Sequence, residues 1–231
     1  MSIFRICFSY VLLCSVLSCA GIQATQNNTT SSSVTVEQER EAQEQLKRLE
    51  HAVRKNDLTT AKEIWMDFQQ SYTHTQAYQK TRAYNAILAV INTPAPQTLD
   101  VEYWLQESAT DINLQQGVTL LVFWEIWCPY CRVEIPKLQK TFETYGPKGL
   151  QMVGLTKLSR DKTKEEVMAF LGENKVTYPI AKETGALSQH FNVSGIPAGA
   201  IVKDGVIVWR GHPNSLSSKL LESLLSPSVM E

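Results

Sequence analysis

The chain predicts an α/β protein: a mixed central sheet flanked by helices and preceded by an N-terminal helical segment. Three observations carry that reading. From Glu37 to about Ile91 there is neither proline nor glycine, and apolar residues recur at helical spacing. Pro94 and Pro96 then end the helical pattern, since each biases the residue before it towards extended backbone. Beyond them, short apolar runs alternate with helical patterns and finish on a hairpin, an order that lays helices over a sheet of parallel and antiparallel strands.

The 231 residues are 43% hydrophobic and 19% charged, with a formal net charge of −1. That apolar share builds a core and excludes whole-chain disorder. With no cationic surplus to neutralise phosphates, a mainly electrostatic nucleic-acid binder is excluded as well. Residues 1–20 read as a signal peptide: Arg5, an apolar stretch from Ile6 to Leu17, then Ser18-Cys19-Ala20-Gly21. The stretch is shorter than the roughly 20 apolar residues a membrane-spanning helix needs. Two processing routes fit. Ser18 and Ala20 suit an ordinary cut before Gly21, and Val16-Leu17-Ser18-Cys19 loosely matches a lipobox, which would lipidate Cys19 and tether the protein to a membrane. Either route exports the chain to a periplasm-like space. Residues 21–36, rich in Ser, Thr, Asn and Gln, read as a flexible linker.

The helical segment covers residues 37–93. Leu46, Leu49 and Val53 make one stripe, Ala61, Ile64 and Phe68 a second, and Tyr84, Ile87, Leu88 and Ile91 a third. Asn56-Asp57 and a Thr60…Glu63 capping box separate the first two. Three helices follow, either packed on the main domain or serving as a dimerisation or partner-docking module. The main domain covers 97–231. Val118 to Phe123 and Leu150 to Leu155 are continuous apolar runs suited to buried strands, with a helical pattern from Pro129 to about Tyr145 between them. Thr163…Glu166 caps a helix ending near Gly172, and Leu187 to Phe191 is a short helix. Gly199 to Lys203 and Val206 to Arg210 pair around Asp204-Gly205, and Ser215 to Leu225 closes the chain as a helix.

Of five cysteines, Cys7, Cys14 and Cys19 fall in the leader, which leaves Cys128 and Cys131. They sit in Phe123-Trp124-Glu125-Ile126-Trp127-Cys128-Pro129-Tyr130-Cys131-Arg132-Val133-Glu134-Ile135-Pro136. A two-residue spacer in the first turn of a helix lets the sulfurs alternate between dithiol and disulfide. Cys128 at the helix N-terminus meets unpaired N–H groups and the macrodipole, which favour its thiolate. Pro129 suits the first helical position, where no N–H is needed. Cys131, a turn further in, is the resolving thiol. The expected chemistry is thiolate attack on a disulfide followed by resolution of the mixed disulfide, or the reverse. A structural disulfide across so short a loop removes little chain entropy. A zinc site needs two more ligands, whereas His51, His74, His190 and His212 are scattered. No metal, nucleotide or flavin cofactor is implied.

The Phe-Trp-x-x-Trp-Cys-x-x-Cys-Arg-x-Glu-x-Pro pattern resembles the TlpA/ResA group of exported thioredoxin-fold proteins, over roughly Leu99 to Leu225. Val193-Ser194-Gly195-Ile196-Pro197 is similar to that group's cis-proline loop. The resemblance implies a thioredoxin-like fold with Pro197 cis and facing Cys128, Ile196 presenting backbone to an extended substrate, and Trp127 flanking the nucleophile. Trp127, Pro129, Tyr130 and Ile196 are thus the expected substrate contacts. Thioredoxin itself carries a buried acid six residues before its first cysteine, where this chain has Val122. Another group must help Cys131 lose its proton. Glu134, three residues past Cys131, shares its helix face, and a glutamate at that position plays this part in the group. Glu125 is the alternative.

The resemblance implies a thiol-disulfide oxidoreductase acting as a reductase, of the DsbH type. Its partners would be cysteine-containing exported proteins and a membrane thiol-disulfide electron donor. Two other readings stay open: an oxidase or isomerase dimerised by the helical segment, and a redox-silent peptide-binding or metal-delivery module using the same cysteines and loop.

Overall fold

The computed structural model describes residues 34–106 and 112–226. The expected leader, its three cysteines and the linker up to residue 33 lie outside the described residues. Helix α1 (Val36–Arg54) starts one residue inside the expected linker, because Thr35 and Gln38 form a reciprocal capping box there. It buries Ala42, Leu46, Leu49 and Ala52 and ends where Asn56 turns left-handed, φ 56°. Helix α2 (Leu58–Ser71) is capped by Asp57, whose side chain accepts the Thr60 N–H at 3.2 Å, so the expected Thr60…Glu63 box is not the start. Asp57 directly follows the left-handed residue and meets the orphan amides first. The third stripe is no single helix. The segment that holds it is divided into α3 (Gln76–Thr81), before the stripe, a 3₁₀ turn (Arg82–Tyr84) that takes Tyr84, and α4 (Asn85–Leu88) with Ile87 and Leu88, while Ile91 lies past the helix. At the first break the Thr81 hydroxyl donates back to the Tyr78 carbonyl at 2.7 Å, competing with the helix ladder.

Six strands form one sheet: β1 (Val101–Trp104), β2 (Val118–Phe123), β3 (Leu150–Thr156), β4 (Ile180–Glu183), β5 (Ala198–Lys203) and β6 (Val206–Gly211), in spatial order β1-β4-β3-β2-β5-β6. β2 pairs in parallel with β3 and antiparallel with β5, and all six of its residues are buried, which is why it reads as an unbroken apolar run. Helices α5 (Pro129–Tyr145), α6 (Lys164–Glu173), α7 (Ala186–His190) and α8 (Ser218–Leu225) complete the α/β part. The Thr163/Glu166 box caps α6 as expected. Asp204 and Gly205, at φ 48° and 80°, make the left-handed pair that turns β5 into β6. α8 begins after Ser217 rather than at Ser215, because Pro213–Ser215 forms a 3₁₀ turn.

The helical segment and the sheet form one compact unit. The Trp209 indole lies across Gly199 and Gly211, where an added Cβ would come within 2.8 and 2.9 Å of its ring, and its N–H donates to the Asn56 side chain at 3.1 Å. Residues 92–95 run antiparallel along β6. Asn92 N–H donates to the Ile207 carbonyl (2.8 Å), Ile207 N–H to Thr93 (3.0 Å) and Ala95 N–H to Gly205 (2.7 Å). Among the described residues no helix is long and apolar enough to cross a membrane.

Candidate active site

β2 delivers the chain into a tight turn at its buried end. Cys128 N–H donates to the Glu125 carbonyl at 3.1 Å, and Cys128 caps α5 with extended backbone (φ −82°, ψ 117°). Pro129 is the first residue of that helix, so its missing N–H costs nothing. Both cysteines are free thiols here. Cys128 is 5% exposed and Cys131 is fully buried beneath it, while Tyr130 between them is 77% exposed.

Burial pushes the Cys131 thiol up to about 12. A backbone hydrogen bond from Glu125 pulls the other way, and the Cys128 sulfur and the Glu125 carboxylate add to the rise. Cys131 is therefore a protonated, withheld thiol at neutral pH.

The Ile196–Pro197 peptide is cis, and the Cys128 thiol points at the Ile196 carbonyl across 3.8 Å. A cavity of about 520 Å³ opens over this pair, lined by Trp127, Cys128, Pro129, Tyr130, Val193 and Ile196 among others. Pro197 itself is buried behind the loop. Arg210 holds both feet of that loop. Its buried guanidinium donates to the carbonyls of Phe191 (3.0 Å) and Asn192 (3.5 Å) before the loop and to Gly199 (3.4 Å) after it, as well as to Gly211 (3.3 Å). Burial lowers its pKa to about 10.

The structure thus gathers Cys128, Trp127, Pro129, Tyr130 and Ile196 at one opening, with Cys131 buried behind it. Glu134 is buried one turn past Cys131 and lies 3.6 Å from the Lys137 ammonium. Its charge, second to burial, raises the pKa of Tyr178, whose hydroxyl donates to the Ile135 carbonyl at 3.2 Å. Glu183 also lines the cavity, buried and taking both the N–H and the hydroxyl of Ser188. Sequence reasoning did not single out Tyr178, Glu183 or Arg210, and it left Glu125 as a second choice. One signal was available for Glu125: a carboxylate within an otherwise apolar stretch must find donors if the stretch is buried. Among the described residues no cluster of three or more His, Cys, Asp or Glu could hold a metal.

Three relatives share part of this chain. The thioredoxin-like protein YneN of Bacillus subtilis is 29% identical over 46% of this chain and 62% of its own length. The sporulation thiol-disulfide oxidoreductase A of the same organism is 26% identical over 37% of this chain and 53% of its own. The thiol-disulfide oxidoreductase ResA of Oceanobacillus iheyensis is 28% identical over 49% and 58%. The chain therefore spans between 53% and 62% of the length of these relatives. The Redoxin family model matches residues 92–224, a span that takes in the whole sheet, both thiols and the cis-proline loop. With its mixed sheet, flanking helices and thioredoxin-like fold, this chain belongs to the Redoxin family.

Proposed function

We propose that the chain is a thiol-disulfide oxidoreductase that exchanges disulfides of exported proteins through Cys128-Pro129-Tyr130-Cys131, acting as a reductase. The observation that carries this reading is the asymmetry of the pair. Cys128 stands at a helix N-terminus, at the mouth of a cavity and against the Ile196 carbonyl, with Cys131 buried behind it. In the reaction the Cys128 thiolate attacks one sulfur of a substrate disulfide. A bond forms between the two, the substrate S–S bond breaks, and the departing sulfur takes a proton. Cys131 then loses its proton and attacks Cys128, releasing the second substrate thiol and leaving the Cys128–Cys131 disulfide. Two electrons have passed to the substrate. Glu134, or Glu125, receives the Cys131 proton. An exported membrane-bound dithiol donor restores the reduced pair.

In this reading Ile196 and the cis-proline loop align an extended substrate segment, while Trp127, Pro129 and Tyr130 shape its approach. The helical segment packs on the catalytic part, and the protein works in a periplasm-like space after removal of residues 1–20 or lipidation at Cys19. The naming of two relatives as thiol-disulfide oxidoreductases supports the reaction class.

The test is reduction of insulin by dithiothreitol with and without the protein. Catalysis is expected, with Cys128→Ser inactive and Cys131→Ser accumulating a covalent mixed disulfide. No acceleration by the wild-type chain would overturn the reading. The reduction potential decides direction: a value more negative than glutathione's supports a reductase, and a strongly oxidising one overturns that part.

A further inference from the structure

Outside the thiols, the densest polar arrangement in the cavity surrounds Glu125. The residue is 5% exposed, and among the described residues it forms no ion pair. Instead it takes three donors from the end of β3 and the following loop: the Thr156 hydroxyl (3.3 Å), the Lys157 N–H (3.2 Å) and the Ser159 N–H (3.3 Å). That loop is unusual in its backbone. Leu158, Arg160 and Asp161 are all left-handed, at φ 55°, 59° and 55°, and none is glycine. A left-handed residue between two amides turns both N–H groups to one side, which makes a concavity for an anion. Here Leu158 is that residue and Glu125 supplies the anion. The same loop reaches the active site. The Ser159 hydroxyl accepts the Trp127 indole N–H at 2.9 Å, and the Arg160 guanidinium lies 3.5 Å from the centroid of the Trp127 ring.

We propose that Glu125 is a positioning residue for disulfide exchange: its buried carboxylate pins the loop 157–161, and through Ser159 and Arg160 that loop holds the Trp127 indole beside Cys128. Glu125 and Trp127 stand two residues apart in sequence, yet their coupling runs through a loop more than thirty residues away. The turn before the helix and the loop after β3 are thereby locked as one wall of the substrate opening. The inference rests on the exchange reaction for its consequence, and on the hydrogen bonds and the Arg160–Trp127 contact for its geometry. The same carboxylate opposes ionisation of Cys131, so its removal also makes that thiol easier to ionise.

The experiment compares the full-length chain with Glu125→Gln, Trp127→Phe and the double variant. Glutamine matches glutamate in shape but has one acceptor oxygen and no charge, and near-ultraviolet circular dichroism confirms that the core is retained. Insulin reduction by dithiothreitol is expected to lose about tenfold in kcat/KM in Glu125→Gln, the size of one strong interaction. The double variant is expected to lose less than the product of the two single losses, because part of each acts on the same contact. Losses that multiply, or a Glu125→Gln rate equal to wild type, would overturn the proposal. Amide hydrogen exchange at Lys157 and Ser159, read by NMR, needs no activity. It is expected to quicken in Glu125→Gln relative to amides of β2, and unchanged protection would also overturn the proposal. The Cys131 thiol is expected to titrate lower in Glu125→Gln, a change that loss of packing alone does not produce. If wild type fails to reduce insulin, the exchange reading falls, and the amide measurement still decides the clamp.

Discussion

Cys131 keeps its proton because ionising it would place a charge where neither water nor a cation can reach. Two outcomes follow. Alkylation of the reduced protein at neutral pH is expected to modify Cys128 and spare Cys131, as peptide mass mapping reads directly. Alkali is expected to destabilise the reduced form selectively. The folded thiol holds its proton up to about 12, whereas an ordinary cysteine releases it near 9.0. Between those values the unfolded chain binds fewer protons than the folded one, so stability falls as pH rises through that window and is fully present below it. Denaturant titrations of reduced and oxidised protein from neutral pH upwards check this, since the oxidised pair has no thiol to titrate. The placement of the two cysteines, one at the helix start and one buried a turn further in, was legible in the sequence because it depends on a single helical turn and its first residues. The surroundings of Glu125 were not. Whether that carboxylate faces inward is decided by amides at Lys157 and Ser159, which local spacing does not reveal.

At the scale of elements, caps and braces hold the scaffold around the site. Thr163→Ala removes the reciprocal cap of α6 and is expected to destabilise by about 1 kcal/mol in denaturant unfolding, without changing thiol reactivity. Arg210→Met keeps the buried chain length but strips the donor from four carbonyls around the cis-proline loop. About 3 kcal/mol of destabilisation is expected, since each buried acceptor left unpaired carries its own desolvation cost. Insulin reduction should fall alongside, as the Ile196 carbonyl loses its fixed place. β2, β3, α5, α6 and the hairpin were readable because each has a strong local signature: an apolar run, a capping box or an Asp-Gly turn. β1 and β4 escaped for the opposite reason. Each has four residues, and their pairing with each other, Val101 opposite Glu183, joins positions far apart in the chain. The third helical stripe was overread, because periodic apolar spacing persists through a 3₁₀ turn that local side-chain bonding inserts.

Across the whole molecule, the helical segment is joined to the sheet by more than a tether. Residues 92–95 lie along β6, and Asn56 receives the Trp209 indole from the same strand. Ala95→Pro in the full chain deletes the N–H that reaches Gly205 while leaving the neighbouring carbonyls in place. It is expected to cost about 1 kcal/mol, and light scattering at high concentration is expected to reveal more self-association than in the wild type. That outcome reflects what the strap prevents. A sheet with two free margins can add copies at both and grow without limit. With residues 205–207 already bonded to their own chain, that part of the β6 edge is closed to a second copy. Among the described strands the margin left open is β1, at the far end of the sheet.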